Sequence, residues 1–132
     1  MKFIKSFLES KELEKPKIKI KKHDIDGFVV YQGKDANSNE HITLELANED
    51  DIWMHAKGVP GSHVLIKIKD KIPTETTIKR AAIIAAKNSK STEDMVNVVY
   101  CKKKYVKKEP GMNTGQVKVD YINANEIIVP KN

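Results

Sequence analysis

The chain has 132 residues, 39% of them hydrophobic, and a formal net charge of +6. This length predicts a single domain that can bury a core without a disulfide or a metal, and the hydrophobic content excludes a disordered tail. The longest apolar runs are a few residues, far short of the roughly 20 that cross a bilayer, and no secretory signal is visible. A lone cysteine, Cys101, fits a reducing compartment, so we expect a cytoplasmic protein without a membrane partner.

The positive charge is concentrated at the two ends of the chain. Residues 1–22 carry a net charge of +5, residues 23–99 carry −3 and residues 100–132 carry +4. This asymmetry indicates a polyanionic partner for one face. Lys outnumbers Arg 23 to 1, so a general preference for lysine explains part of the excess.

The predicted elements begin with a basic extension. Helical spacing of apolar residues predicts a short amphipathic N-terminal helix over residues 2–15, and the alternation of residues 17–21 predicts a strand with one lysine face. We therefore divide the chain into a basic helix-and-strand extension, residues 1–22, and a domain, residues 23–132.

Strands predominate in the rest of the chain. The pattern predicts a loop at 33–39, turns at 57–61 and 109–115, and strands at 28–31, 41–46, 52–56, 63–69, 96–105, 117–121 and 126–129. One helix is predicted from residue 73 to about residue 88, and the alanines on its apolar face allow it to lie close against a sheet. The predicted fold class is α+β: a mostly antiparallel or mixed sheet with one Ala-rich helix packed on it, and a short N-terminal helix.

The most informative segment runs from Asp51 to Val64. It holds the single Trp, two of the four His and the sequence Pro-Gly-Ser-His, within a predicted strand–turn–strand frame. Trp53 and His55 share one face of the first strand with Asp51. Two interpretations stay open: an exposed platform, on which the indole stacks on an unpaired base while His and Ser donate to phosphate or base edges, or a buried Trp53 with His55 as its polar neighbour.

The turn and its two histidines allow further predictions. The Pro-Gly step predicts a type II turn with Gly61 at positive φ, which brings His55 and His63 to the same end of the sheet. A zinc site needs three or four ligands and only Asp51 is an obvious third, so we expect no metal. Ser62 with a His base and Asp51 resembles a nucleophilic triad but lacks the Gly-x-Ser-x-Gly context. No loop matches a nucleotide fingerprint, and we expect no cofactor.

A second candidate site is the basic cluster Lys-Lys-Lys-Tyr-Val-Lys-Lys at residues 102–108. On a strand, Lys103, Tyr105 and Lys107 would share one face. An aromatic ring between cations suits an RNA backbone with one stacked base. A lysine-rich edge strand is also a common protection against aggregation, and from the residues alone both interpretations stay open.

These segments together resemble the NFACT-R domain, the C-terminal RNA-binding module of the fibronectin-binding-protein-A/RqcH/NEMF family, which works in ribosome-associated quality control. The resemblance covers about residues 26–130. Its blocks are Gly-Phe at 27–28, Asp-Ile-Trp-Met-His-Ala-Lys at 51–57, Pro-Gly-Ser-His-Val at 60–64, the Ala-rich helix, Lys-Tyr-Val-Lys-Lys at 104–108 and Pro-Gly-Met at 110–112. Full-length members carry further domains upstream and extend stalled chains on the ribosome; we expect a stand-alone copy, without that activity.

The resemblance implies an RNA-binding site formed by Asp51, Trp53, His55, Lys57, Ser62, His63, Lys103, Lys104, Tyr105, Lys107 and Lys108. The leading prediction is a cytoplasmic RNA-binding protein, not an enzyme, that contacts tRNA or ribosomal RNA in translation or ribosome-associated quality control. The ribosome and an RNA-modifying protein are candidate partners. The alternative is an RNA-modification enzyme or subunit that uses the cluster Asp51, His55, Ser62 and His63.

Overall fold

The computed structural model describes residues 18–132, and the predicted helix at residues 2–15 lies outside them. Within residues 18–132, six strands form one antiparallel sheet in the order β1-β2-β4-β3-β5-β8. The strands are β1 (Ile20–Ile25), β2 (Phe28–Gly33), β3 (Ile52–Ala56), β4 (Val64–Ile66), β5 (Met95–Lys102) and β8 (Asn125–Pro130). The predicted α+β class with a mainly antiparallel sheet is confirmed. No helix in this part of the chain is long and apolar enough to cross a bilayer.

The first two strands form a hairpin with a two-residue turn. Asp26 has a φ of 53° and Gly27 a φ of 84°. Positive φ at both central positions is characteristic of the type I′ turn, whose twist matches that of the flanking strands. Because β1 begins at Ile20, residues 20–22 of the predicted extension belong to the sheet.

The segment between β2 and β3 differs from its prediction. We predicted a loop followed by a strand, but the structure has helix α1 (Ala36–His41) and then a π-helical turn (Ile42–Leu46). The Asp35 carboxylate accepts a hydrogen bond from the Ser38 amide at 2.8 Å, and the Ser38 hydroxyl accepts one from the Asp35 amide at 3.0 Å. This capping box stabilises the start of a helix whose polar composition is typical of a loop.

Helix α2 (Glu75–Lys87) confirms the predicted Ala-rich helix. Its N-terminal cap is Thr74, whose hydroxyl accepts from the Thr77 amide at 3.2 Å. Four alanines face the sheet and are fully buried: Ala81, Ala82, Ala85 and Ala86. Their small side chains let the helix lie close to the strands, and the larger of two core clusters fills this interface.

The opposite face of the sheet is covered by the π-helical turn and by a small hairpin. The hairpin consists of β6 (Val106–Lys107) and β7 (Lys118–Val119). Ile42 from the turn and Val106 from the hairpin join Trp53 in a second core cluster. These two cover elements form the surroundings of the candidate site.

Several strands are shorter than predicted. The predicted strand at 63–69 is paired over three residues, and the predicted strand at 96–105 ends at residue 102, where a 3-10 turn (Lys103–Tyr105) leads into β6. A second 3-10 turn (Tyr121–Asn123) follows β7. The lysine cluster therefore does not alternate along one strand, and the predicted division of its side chains between two strand faces is wrong.

Candidate functional site

Three rings from neighbouring strands meet at the floor of an open cleft of about 830 Å³. Trp53 and His55 project from β3 on the face opposite α2, with ring centroids 6.0 Å apart and 27° between the ring planes. His63, directly before β4, packs edge-on against both, with its centroid 5.2 Å from Trp53 and 5.3 Å from His55. The antiparallel pairing of β3 with β4 thus brings the two histidines together, as predicted.

A chain of hydrogen bonds fixes the buried side of these rings. The indole N–H of Trp53 donates to Oγ1 of Thr43 at 3.0 Å, and that oxygen lies 2.8 Å from Nδ1 of His63. The Thr43 hydroxyl therefore joins the indole and the His63 imidazole in one buried hydrogen-bonded chain.

Burial makes the two histidines neutral groups. It lowers the pKa of His63 to about 3, with a further contribution from the neighbouring His55. Burial also lowers the pKa of His55, and the backbone of Gly61 offsets part of this change. At neutral pH the two imidazoles are therefore available as hydrogen-bond donors and acceptors, but not as cations.

The indole of Trp53 is only 1% exposed. Of the two interpretations that the sequence left open, the buried one is therefore correct in this structure, and the expectation of an exposed stacking face on Trp53 is wrong. The strand alternation placed Trp53 on the correct face. Its burial depends on the π-helical turn and the β6–β7 hairpin, which the sequence pattern did not place over that face.

Asp51 does not join the histidines. Its buried carboxylate accepts hydrogen bonds from the amides of Asn48 and Ile68, both at 2.8 Å, and from Nζ of Lys67 at 2.5 Å. Within residues 18–132, no hydrogen bond links Asp51 or the Ser62 hydroxyl to an imidazole, so the residues of the catalytic alternative do not form a triad. The same residues contain no group of three His, Cys, Asp or Glu side chains suited to a metal ion.

Asn39 and Gly61 hold the segment that leads into His63. The Asn39 amide donates to the carbonyl of Gly61 at 3.1 Å and accepts from the His63 amide at 2.9 Å. Gly61 does not have positive φ, whereas Gly58 has a φ of 74°, so the predicted type II turn is wrong. Glycine is needed for a different reason, because a Cβ on Gly61 would lie 2.9 Å from Cα of Ser89.

Lysines surround the mouth of the cleft. The exposed side chains of Lys34, Lys57 and Lys90 come from three different segments and line the opening. Lys57 forms an ion pair with Glu126, and its Nζ lies 5.4 Å from the ring centroid of Tyr121, which is 56% exposed. The sequence prediction included Lys57. It missed the other two lysines and Tyr121, because the fold, and not the sequence spacing, brings them to the cleft.

Two lysines of the basic cluster are held by carboxylates. Lys103 forms an ion pair with Glu49 at 3.2 Å, and Lys108 forms one with Glu40 at 2.5 Å. Nζ of Lys108 also donates to the carbonyl of Asn113 at 2.6 Å. These contacts attach the β6–β7 hairpin and the segment before it to the rest of the domain.

Lys104 and Lys107 are exposed and form no ion pair within the described residues. The ring of Tyr105 is half-buried, with the Lys104 ammonium 5.4 Å from its centroid. Lys107 lies directly opposite Lys118 in the hairpin, and Lys118 also pairs with Glu109 at 3.1 Å. Like charges directly opposite each other on paired strands repel, and the Glu109 carboxylate offsets part of this repulsion.

Comparison with known proteins identifies the family. The family model described as the NFACT protein RNA binding domain matches residues 19–121, which is most of the chain and includes every residue of the cleft floor. The chain belongs to the NFACT-R family. The predicted resemblance is therefore confirmed.

Relatives of this NFACT-R chain are longer proteins. Rqc2 homolog RqcH from Bacillus subtilis is 43% identical over 95 residues, which cover 71% of this chain and 16% of RqcH. Coiled-coil domain-containing protein 25 from Mus musculus is 28% identical over 96 residues, covering 68% of this chain and 46% of that protein. The solved C-terminal part of the fibronectin/fibrinogen-binding protein from Streptococcus suis matches with a TM-score of 0.78 at 27% identity, over 90% of this chain and 47% of that one. The chain thus spans less than half the length of these relatives.

Proposed function

We propose that this NFACT-R chain binds tRNA or ribosomal RNA in the cytoplasm, in translation or ribosome-associated quality control. The observation that carries the proposal is the set of exposed lysines around an open cleft with a neutral, polar floor. Such an arrangement matches a polyanion whose bases are also contacted. The description of the family as an RNA-binding domain and the names of the Rqc2 homologs support it.

In this proposal the lysines supply affinity through phosphate contacts. Lys57 at the mouth and the exposed Lys104 and Lys107 on the hairpin segment are available for such contacts. Contacts of this kind position the RNA without reading its sequence. Lys103 and Lys108, which are held by carboxylates, contribute chiefly to the stability of the hairpin.

In this proposal the cleft selects among the bases of the RNA. His55 is half-buried and lines the cleft, so its ring can hydrogen-bond a ligand there, and the more deeply buried Ser62 lines the same cleft. Trp53 and His63 act from beneath, because each is at most 3% exposed, whereas Asp51 lies outside the cleft and fixes the segment before β3. They maintain the backbone and ring positions that the contacting groups require.

The experiment is a titration of labelled tRNA at several KCl concentrations. A set of about 4–6 phosphate contacts on single-stranded segments predicts a log–log salt slope of about −3 to −4. Lys104→Ala with Lys107→Ala should reduce the magnitude of the slope by about 1.4, or roughly 0.7 for each lost contact. The matched control is Lys79→Ala with Lys87→Ala, which removes two exposed lysines from α2 on the opposite side of the sheet.

Binding of tRNA that does not depend on salt would contradict the electrostatic basis of the proposal. Equal effects of the two double variants would show that the lysines act only through net charge. His55→Ala should change the ranking of different RNAs and leave the salt slope unchanged, because a base contact releases no counterion.

A further inference from the structure

The size of the cleft limits what part of an RNA can enter it. Its volume of about 830 Å³ lies within the range of roughly 300–1,000 Å³ typical of small-molecule sites. In a duplex the bases are stacked and paired, and proteins recognise the helix mainly by its shape and its backbone. Only an unpaired nucleotide can place its base inside a cleft of this size.

The interior of the cleft suits the two sides of a nucleobase. Its walls include the apolar side chains of Val59, Val117 and Val119, which can contact the flat faces of a ring. His55 and Ser62 provide neutral polar atoms, which can hydrogen-bond the edge of a base without attracting its phosphate. A charged ligand would find no fixed cation at this floor, because burial keeps both imidazoles neutral.

The mouth of the cleft pairs an exposed aromatic ring with cations. Tyr121 is 56% exposed at the opening, and Lys57 lies beside its ring. The ion pair between Lys57 and Glu126 is on the surface, where such pairs contribute little, so a phosphate can replace the carboxylate. Lys34 and Lys90 provide two more cations on the same opening.

We propose that the cleft receives a single unpaired nucleotide, and that Tyr121, not Trp53, is the aromatic residue on which a base stacks. The phosphates of this nucleotide and its neighbours contact Lys34, Lys57 and Lys90. The inference rests on the proposed RNA binding and specifies its target as a single-stranded or flipped-out position. Trp53 then has a supporting role, because its indole is committed to Thr43.

The first test compares two RNAs of equal length, an unstructured single-stranded octamer and the blunt duplex that it forms with its complement. Trp53 is the single Trp of the chain, so its fluorescence reports entry into the cleft. The octamer should bind at least tenfold more tightly than the duplex and change the emission until saturation. An equal or higher affinity for the duplex would overturn the inference.

The second test replaces the stacking residue. Tyr121→Ala should weaken octamer binding by at least about fivefold, the lower end of the range for loss of one base–aromatic stack, and Tyr121→Phe should restore most of it. Ile122→Ala is the matched control, since its side chain is adjacent and 94% exposed but does not line the cleft. Equal effects of the two alanine variants on octamer affinity would show that Tyr121 is not the residue on which the base stacks.

A third measurement separates this inference from the proposed function. Uridine 5′-monophosphate at millimolar concentration should shift the NMR signals of His55, whereas ribose 5-phosphate, which has no base, should not. Salt-dependent tRNA binding without any response to the octamer or to the mononucleotide would support the proposed RNA binding. It would contradict the inference that an unpaired nucleotide enters the cleft. A chain that binds neither tRNA nor the octamer would contradict both.

Discussion

The floor and the mouth of the cleft lie side by side and differ in almost every physical respect. The floor consists of packed rings, of which Trp53 and His63 hydrogen-bond to Thr43 and are at most 3% exposed. The mouth consists of exposed lysines and Tyr121, which comes from a 3-10 turn. Changes to the floor should therefore act on stability first, and changes to the mouth should act on binding.

The largest difference in stability is expected between variants of the two aromatic residues Trp53 and Tyr121. Trp53→Ala should lower the free energy of unfolding by about 3–5 kcal/mol, because it opens a large cavity and leaves Thr43 without its donor. Tyr121→Ala should change it by less than about 0.5 kcal/mol, because the side chain is mostly exposed. Urea unfolding of both variants measures the difference, and similar losses would remove the distinction between floor and mouth.

A smaller loss of stability is expected from a substitution in the turn that supports the floor. Gly61→Val should destabilise the protein by about 1–3 kcal/mol, because the added carbons meet the backbone of Asn88 and Ser89 at 2.9–3.1 Å. Gly111→Asn is the control: this glycine has a φ of 88° and open space around it, and Asn tolerates positive φ. A Gly61→Val variant with the wild-type melting temperature would show that the two segments can separate without cost.

The buried His63 makes the stability of the fold depend on pH. Its pKa is about 3 in the folded chain against an ordinary value of 6.5 for an exposed imidazole, so the unfolded chain takes up a proton first as the pH falls. Stability present above pH 6.5 should therefore be lost on acidification, with a slope approaching 1.4 kcal/mol per pH unit. Urea unfolding from pH 7.5 to 5 should show this slope in the wild type.

In the same pH range His63→Gln should weaken the dependence of the free energy of unfolding on pH, because Gln does not titrate. Equal slopes in the wild type and in His63→Gln would mean that the buried imidazole does not control the acid sensitivity.

The smallest change in stability belongs to the lysines of the mouth. Lys34→Ala with Lys90→Ala should alter the free energy of unfolding by less than about 0.5 kcal/mol, since both side chains are exposed. The same variant should lower RNA affinity several-fold at low salt and less at high salt. An affinity loss that is independent of salt would assign these lysines a role other than phosphate contact.

The parts of the fold that were predictable depend on local periodicity. Strand β3 follows from alternation, and helix α2 follows from its Ala-rich face together with a Thr cap. The alternation of β3 predicted that Trp53 and His55 share a face, and the strand–turn–strand frame predicted that His55 meets His63, although the type of turn was wrong. An unused signal was Asp26-Gly27, a dipeptide typical of a two-residue hairpin turn, which would have located β1 and β2 together.

The rest depended on contacts between distant segments. Helix α1 is stabilised by the Asp35–Ser38 capping box, but its polar residues carry no helical apolar pattern. Elements that pack over the sheet bury Trp53 and position Tyr121 at the cleft. The alternation along one strand does not predict where those elements pack. For Gly61 the residue was identified correctly but the reason was not, because close packing against Ser89, and not its φ, demands glycine.

The π-helical turn at Ile42–Leu46 holds one residue more than an α-helical turn. The amide of Ala47 donates to the carbonyl of Ile42 at 3.0 Å, five residues back instead of four. Deleting the exposed Glu45 would let the same two backbone groups form the bond of an α-helical turn, and the residues on either side would keep nearly the same direction. Ile42 would then stay packed on the sheet, and Thr43 would still reach Trp53 and His63. This segment is therefore a place where the chain should accept a change of length by one residue without losing the support of the floor.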